Sequence, residues 1–168
     1  ANRCQIATAN GVENLTIPVE HQAHKVAMKD VQISEHSNWQ LMHWRAIEAA
    51  YNSTPFFDYY KDDLEPFFQH RFTSLLDFNL RIQTTILDLL GFESTVTLSD
   101  SYKEEYHSGE IDLRETYHPK KKAVPLDVHF EHQNYYQVFN HKFGFLPDLS
   151  IIDLLFNMGN EARLILKK

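Results

Sequence analysis

One cysteine in 168 residues, Cys4, leaves no partner for an internal disulfide and suits a reducing compartment. Beside an expected strand it reads as a small buried apolar residue, not a nucleophile. No apolar run nears the roughly 20 residues that a helix needs to span a bilayer, so a cytoplasmic location is the default expectation. Basic charge is also scarce. A formal net charge of −7 and a pI near 5.8 argue against a nucleic-acid binder, which relies on a clustered cationic surface. The local exception is Lys120, Lys121 and Lys122, a run that reads either as a solvated loop or as a phosphate contact. Glycine numbers only five, and no nucleotide loop, CxxC or HExxH pattern can be read. No solenoid-length repeat or low-complexity linker divides the chain. It fits one domain over residues 1–168, long enough to bury roughly 70% of the surface an unfolded chain exposes.

What the chain does have is a helix running into an aromatic cluster, SNWQLMHWRAIEAAYNSTPFFDYY from Ser37 to Tyr60. Wound at 3.6 residues per turn, Trp39, Met42, His43, Ala46, Ile47 and Ala50 share one stripe, with Arg45 and Glu48 opposite. Ser37 followed by Gln40 matches a capping box that starts the helix near Asn38. Asn52, Ser53 and Pro55 stop it, because proline disfavours helix at the residue before it. Phe56, Phe57, Tyr59 and Tyr60 then follow as an aromatic wall.

Before this helix, alternation around Ala9, Asn10 and Gly11 predicts a β-hairpin between Arg3 and Ile17, and Val31 with Ile33 predicts more strand. After it, Leu75, Phe78, Asn79, Ile82, Ile86, Leu89 and Leu90 form one helical face that Gly91 ends. Thr95 to Leu98 reads as a short strand, and Asp100 to Lys122 as a loop or lid. Ser150 caps a last helix through Ile151, Ile152, Leu154, Leu155 and Phe156, with Gly159 as terminator. The fold class is therefore mixed α+β, an N-terminal hairpin and strand packed with several helices.

His43 carries the most chemistry, since a polar ring in an apolar stripe must find a partner or lose about 1–3 kcal/mol to desolvation. It is either a satisfied core histidine or a proton-transfer group. Asn79 poses the same choice between loop anchor and ligand contact. Tyr135, Tyr136, Gln137, Phe139 and Phe143 would suit stacking on a sugar or base, Gln137 supplying the polar contact, although such a stripe also fits a core. Asp153, three residues after Ser150, matches the acid of a helix-capping arrangement. His129 and His132 have a spacing that metal ligation could use on a helix, but no further ligand corroborates it, and no metal site is assigned.

Several blocks in order, namely ANRCQI, ANGVENLTIPVE, KDVQIS, NWQLMHWRAIEAAYNSTPFFDYY, LLDFNLRIQTTILDLLGFESTV and VHFEHQNYYQVFNHKFGFLPDLSIIDLLFNMGNEA, resemble the WbqC-like protein family over nearly the whole chain. The resemblance implies a bacterial protein whose relatives are tied to surface-polysaccharide or O-antigen synthesis, without an established reaction. It also implies a strand-helix unit with a QPxYLPW-like motif ahead of the RNRC-like segment; this chain starts after it, so an N-terminally incomplete domain is expected. Arg3 falls in that segment and either binds an anion or is an edge-strand charge. The leading reading is a transferase on a nucleotide-linked sugar or related small molecule, needing no cofactor. His43 would be the catalytic base or polar anchor, and Arg3, Tyr51, Tyr135 and Gln137 would line the substrate site. The alternative is a non-enzymatic scaffold that recruits a partner enzyme. The two differ in whether Arg3, His43 and Gln137 meet in one pocket.

Overall fold

The computed structural model describes residues 2–21, 24, 26–93, 95–102 and 133–166. Residues 1–94 and 134–168 make one compact unit and 95–133 a second. In the second, the described residues carry no helix or strand. Thr95–Leu98, expected as a strand, is therefore irregular and exposed. Its β-branched residues favour an extended backbone, but a strand needs a neighbour to pair with. Lys120–Lys122, His129, His132 and nearly all of the expected lid lie outside the described residues.

The hairpin forms as predicted. Strand β1 (Arg3–Thr8) pairs antiparallel with β2 (Gly11–Thr16) in the register Thr8↔Gly11 to Arg3↔Thr16. The turn is tight enough that Gly11 takes φ +108°, a region closed to most side chains. Lys142 Nζ donates to the Ala9 carbonyl at 2.6 Å and holds this tip. Val31–Ile33 does not become a strand; Val19↔Ile33 and Gln32↔Ser74 pair only as isolated bridges.

Helix α1 (Trp39–Tyr51) starts after Asn38 as expected, and the Thr54 hydroxyl bonds back to the Tyr51 carbonyl at its end. The expected capping box does not form at this start. Gln40 instead donates to the carbonyls of Phe67 and His70, so its amide ties α1 to the turn after α3 (Pro66–Gln69). The short helix α2 (Phe57–Leu64) precedes that turn. Helix α4 (Leu75–Leu89) is capped by Ser74, whose hydroxyl accepts from the Asp77 amide at 3.3 Å. After α5 (Asn140–Phe143), α6 (Ile151–Met158) ends at Gly159 and α7 (Ala162–Leu166) follows. Among the described residues no helix is long and apolar enough to cross a membrane.

Two apolar clusters result. The larger joins Ile6 and Leu15 of the hairpin to Trp44, Ile47 and Tyr51 of α1 and to Leu155 and Phe156 of α6. The smaller gathers Ile17, Ile33, Trp39, Phe67, Leu75 and Phe78. Phe156 is fully buried, with ring centroids 5.2 Å from Tyr51 and 5.1 Å from Phe57. Its replacement by alanine should cost about 3–5 kcal/mol, read as a lower urea midpoint at unchanged slope.

Candidate functional site

Where the two clusters meet, they do not close. A cavity of about 170 Å³ lies between them, walled by Leu15, Trp44 and Ile47 from one and by Ile17, Trp39 and Phe78 from the other. Ile82 and Ile86 of α4 complete the apolar wall, and Asn2, Arg3, Cys4, His43, Asn79 and Ser150 add polar groups. Few polar groups on a concave apolar surface is the usual composition of a small-molecule site. A second hollow, at the start of α1, is lined by Glu35, His36, Ser37 and Arg71. Its guanidinium sits 3.6 Å from Glu35, both side chains largely exposed. Such a pair contributes little, and the first cavity is the better candidate.

His43 is half-buried there because α1 turns Trp39, Trp44 and Ile47 inward on either side of it. Its ring meets Trp39 edge-on, centroids 5.2 Å apart. Burial pushes its pKa below the ordinary 6.5, while a hydrogen bond to the Thr16 backbone acts in the opposite direction. The ring is neutral at pH 7, donating to that carbonyl with one nitrogen and keeping the other as an acceptor. Because the unfolded chain takes up this proton first, the contribution to stability is complete above pH 6.5. It is lost as pH falls from there through the lowered folded pKa. His43→Gln should therefore lose less stability than the natural protein between pH 7.5 and 5.5, compared by urea melts; equal losses would contradict it.

Arg3 lies exposed at the rim, its Nε donating to the Thr16 hydroxyl at 3.0 Å. Among the described residues that bond leaves the two terminal guanidinium nitrogens unspent. Cys4 is exposed at the same rim, against the expectation of a buried residue. Cys4 shares its face of β1 with the buried Ile6 but sits nearer the open start of the strand. The thiol is nonetheless crowded. Burial raises its pKa, a hydrogen bond with Ser150 lowers it, and the rise wins, which leaves it protonated and a poor nucleophile.

Tyr51, Tyr135 and Gln137, expected beside His43, do not line this cavity. They converge on the carboxylate of Asp153, which is fully buried on α6. The Tyr51 hydroxyl donates to Oδ1 at 2.9 Å and itself accepts from the Ala7 amide at 3.2 Å. Tyr135 donates to Oδ2 at 2.7 Å, and Gln137 Nε2 donates to the same oxygen at 3.1 Å. The Gln137 amide also pairs with the Leu146 backbone in both directions. Burial pushes the Asp153 pKa up, and the donors Tyr135, Tyr51 and Gln137 hold it partly down. Both phenols are pushed up, by burial first and by the adjacent carboxylate second, so they stay protonated and donate. Asp153 makes no capping bond with the Ser150 side chain. Sequence reasoning assigned it to the helix end and missed its burial. The available signal was a lone acid inside the run Ile151–Phe156.

Among the described residues no group of His, Cys, Asp and Glu could hold a metal ion. The polar groups that line the apolar hollow are a neutral imidazole, a guanidinium, a protonated thiol and the side chains of Asn2, Asn79 and Ser150.

Comparison with known proteins gives this geometry a lineage. The model of the WbqC-like protein family matches residues 1–118, which include the hairpin, α1 and α4. The chain belongs to the WbqC-like protein family. The match holds the Arg3 and His43 walls of the cavity but stops short of α6, so the likeness read in the C-terminal block lies beyond it. A relative from Mycobacterium tuberculosis (strain ATCC 25618 / H37Rv), the uncharacterized protein Rv1507c, is 28% identical over 185 residues, covering 96% of this chain and 78% of its own. No solved structure matches.

Proposed function

We propose that this WbqC-like protein acts in bacterial surface-polysaccharide synthesis as a cytoplasmic transferase on a nucleotide-linked sugar. The polysaccharide context comes from the family resemblance. Support for a ligand-handling site comes from a single observation: Arg3 and His43, 40 positions apart, line the same cavity. In this reading His43 accepts a proton from the attacking group and Arg3 holds an anionic oxygen. Tyr51, Tyr135 and Gln137 act at a distance by fixing α6, whose Ile152 forms part of the wall.

A scaffold that recruits a partner enzyme is the competing reading. One observation favours it: α1 presents Met42 at 66% exposure and Leu41 at 39% on the side away from the core. The test is a thermal-shift screen of the full-length protein with nucleotide sugars and acyl donors, followed by turnover assays on the hits. His43→Gln should keep the fold and lower turnover by about 10²–10⁴-fold. Unchanged turnover would reject the base, and no stabilising ligand would leave the scaffold ahead.

A further inference from the structure

We infer that the cavity takes a short apolar acyl group whose carboxylate or carbonyl end faces Arg3, and that a nucleotide-linked sugar acted on at His43 stays at the rim without entering the apolar hollow. This rests on the preceding reading of the cavity as the ligand site. Size is the first ground. The cavity measures about 170 Å³, and a cavity of about 150 Å³ lined by Leu, Ile and Phe accommodates one benzene ring. Sites for whole drug-sized ligands run to about 300–1,000 Å³. Room exists for a body of about six carbons, well short of a sugar with its nucleotide.

Lining is the second ground. Trp39, Trp44, Ile47, Phe78, Ile82 and Ile86 surround the space, and none of them carries a hydrogen-bond acceptor for sugar hydroxyls. A pyranose seated there would exchange most of its water for a few polar contacts at Asn2, His43, Asn79 and Ser150, whereas an alkyl chain gains about 0.8 kcal/mol for each CH₂ buried. The cationic side chain lies at the rim. Arg3 is exposed at the rim and, among the described residues, keeps two guanidinium nitrogens available to an anionic head, and the half-buried His43 lines the same cavity with its ring edge-on to Trp39. Free short-chain carboxylates and carrier-linked acyl thioesters share this chemistry.

The test is a thermal shift of the full-length protein with butyrate, hexanoate, decanoate, hexanoyl-coenzyme A and a panel of nucleotide sugars. Hexanoate at about tenfold over its Kd should raise Tm by about 3–6 °C. Butyrate should shift it less, because it buries less chain, and decanoate less, because it overfills the cavity. A larger shift with hexanoyl-coenzyme A than with hexanoate identifies the thioester as the source, and the reverse identifies the free acid; either supports the site. Ile82→Phe, which fills the hollow, should abolish the hexanoate shift, and Arg3→Met should weaken hexanoate binding about tenfold while leaving hexanol unaffected. No shift with any acyl compound, alongside a nucleotide-sugar shift that His43→Gln removes, would overturn the inference and keep the proposed function. No shift with any ligand would overturn both.

Discussion

Asp153→Ala should lower the unfolding free energy by about 3–5 kcal/mol, a large share of the total for a single domain. Removing the carboxylate leaves the hydroxyl protons of Tyr51 and Tyr135 without acceptors. Each stranded donor costs about 1–3 kcal/mol when water cannot reach it, and Tyr51 and Asp153 are both fully buried. Gln137 suffers less, because its amide keeps the Leu146 carbonyl at 2.9 Å. Asp153→Asn is the sharper probe. It preserves shape and one acceptor but turns an –NH₂ toward two existing donors, Tyr135 and Gln137, and should cost about 1–3 kcal/mol.

The pH dependence of that pair has a definite sign. The folded carboxyl titrates above its ordinary 3.8, so its contribution is fully present below 3.8 and is lost as pH rises through the raised folded value. The gap between the natural protein and Asp153→Asn should widen as pH falls through that window. Urea melts from pH 7 to 3.5 measure it. A constant gap, or an alanine variant within about 0.5 kcal/mol of the natural protein, would mean that the cluster is relaxed or wet in solution.

Elements with local causes were legible in the chain. Asn10–Gly11 announced the hairpin because a tight turn needs positive backbone angles, and the α4 face followed from its 3.6-residue period. Helix α1 shows the boundary of that logic. Its apolar residues run nearly all the way round, at Trp39, Leu41, Met42, Trp44, Ala46 and Ile47, so periodicity fixes the axis but not the phase. The expected stripe held Met42 and omitted Trp44 and Tyr51; the structure exposes Met42 and buries the other two. What sets the phase is tertiary: Trp44 stacks on Phe57 and Phe68 at 6.1 and 5.5 Å.

The candidate site divides the same way. Arg3 and His43 were recognisable singly, and their shared cavity needed the hairpin to fold onto α1. Tyr135 and Gln137 were recognisable as polar groups in an aromatic stretch, and Tyr51 only as part of a block that carries the family resemblance. Their partner was invisible, because Tyr51 and Asp153 stand 102 positions apart and no local pattern encodes such a bond.

Gly159→Ala should cost about 2–6 kcal/mol, although it adds one methyl group to a position that looks like an ordinary helix stop. Gly159 ends α6 at φ 55°, ψ −132°, a combination that belongs almost entirely to glycine and costs other residues about 1–3 kcal/mol. The new Cβ would also sit 2.6–2.8 Å from three carbons of the Phe56 ring. That ring cannot simply swing away, since the Phe56 amide is bonded to the Phe156 carbonyl at 3.1 Å and its side chain packs on the main core. Displacing it adds about 1–3 kcal/mol of overpacking. The two causes separate in a double-mutant cycle. In a Phe56→Ala background the clash is gone and only the backbone strain persists, so the cost of Gly159→Ala should fall by at least about 1 kcal/mol. Equal costs in both backgrounds would mean that the ring yields freely. The position also reports on function, because the same helix carries Ile152 of the cavity wall and Asp153. A displaced α6 should weaken hexanoate binding along with stability, whereas an effect on stability alone would place the damage beyond the helix, in the turn toward α7.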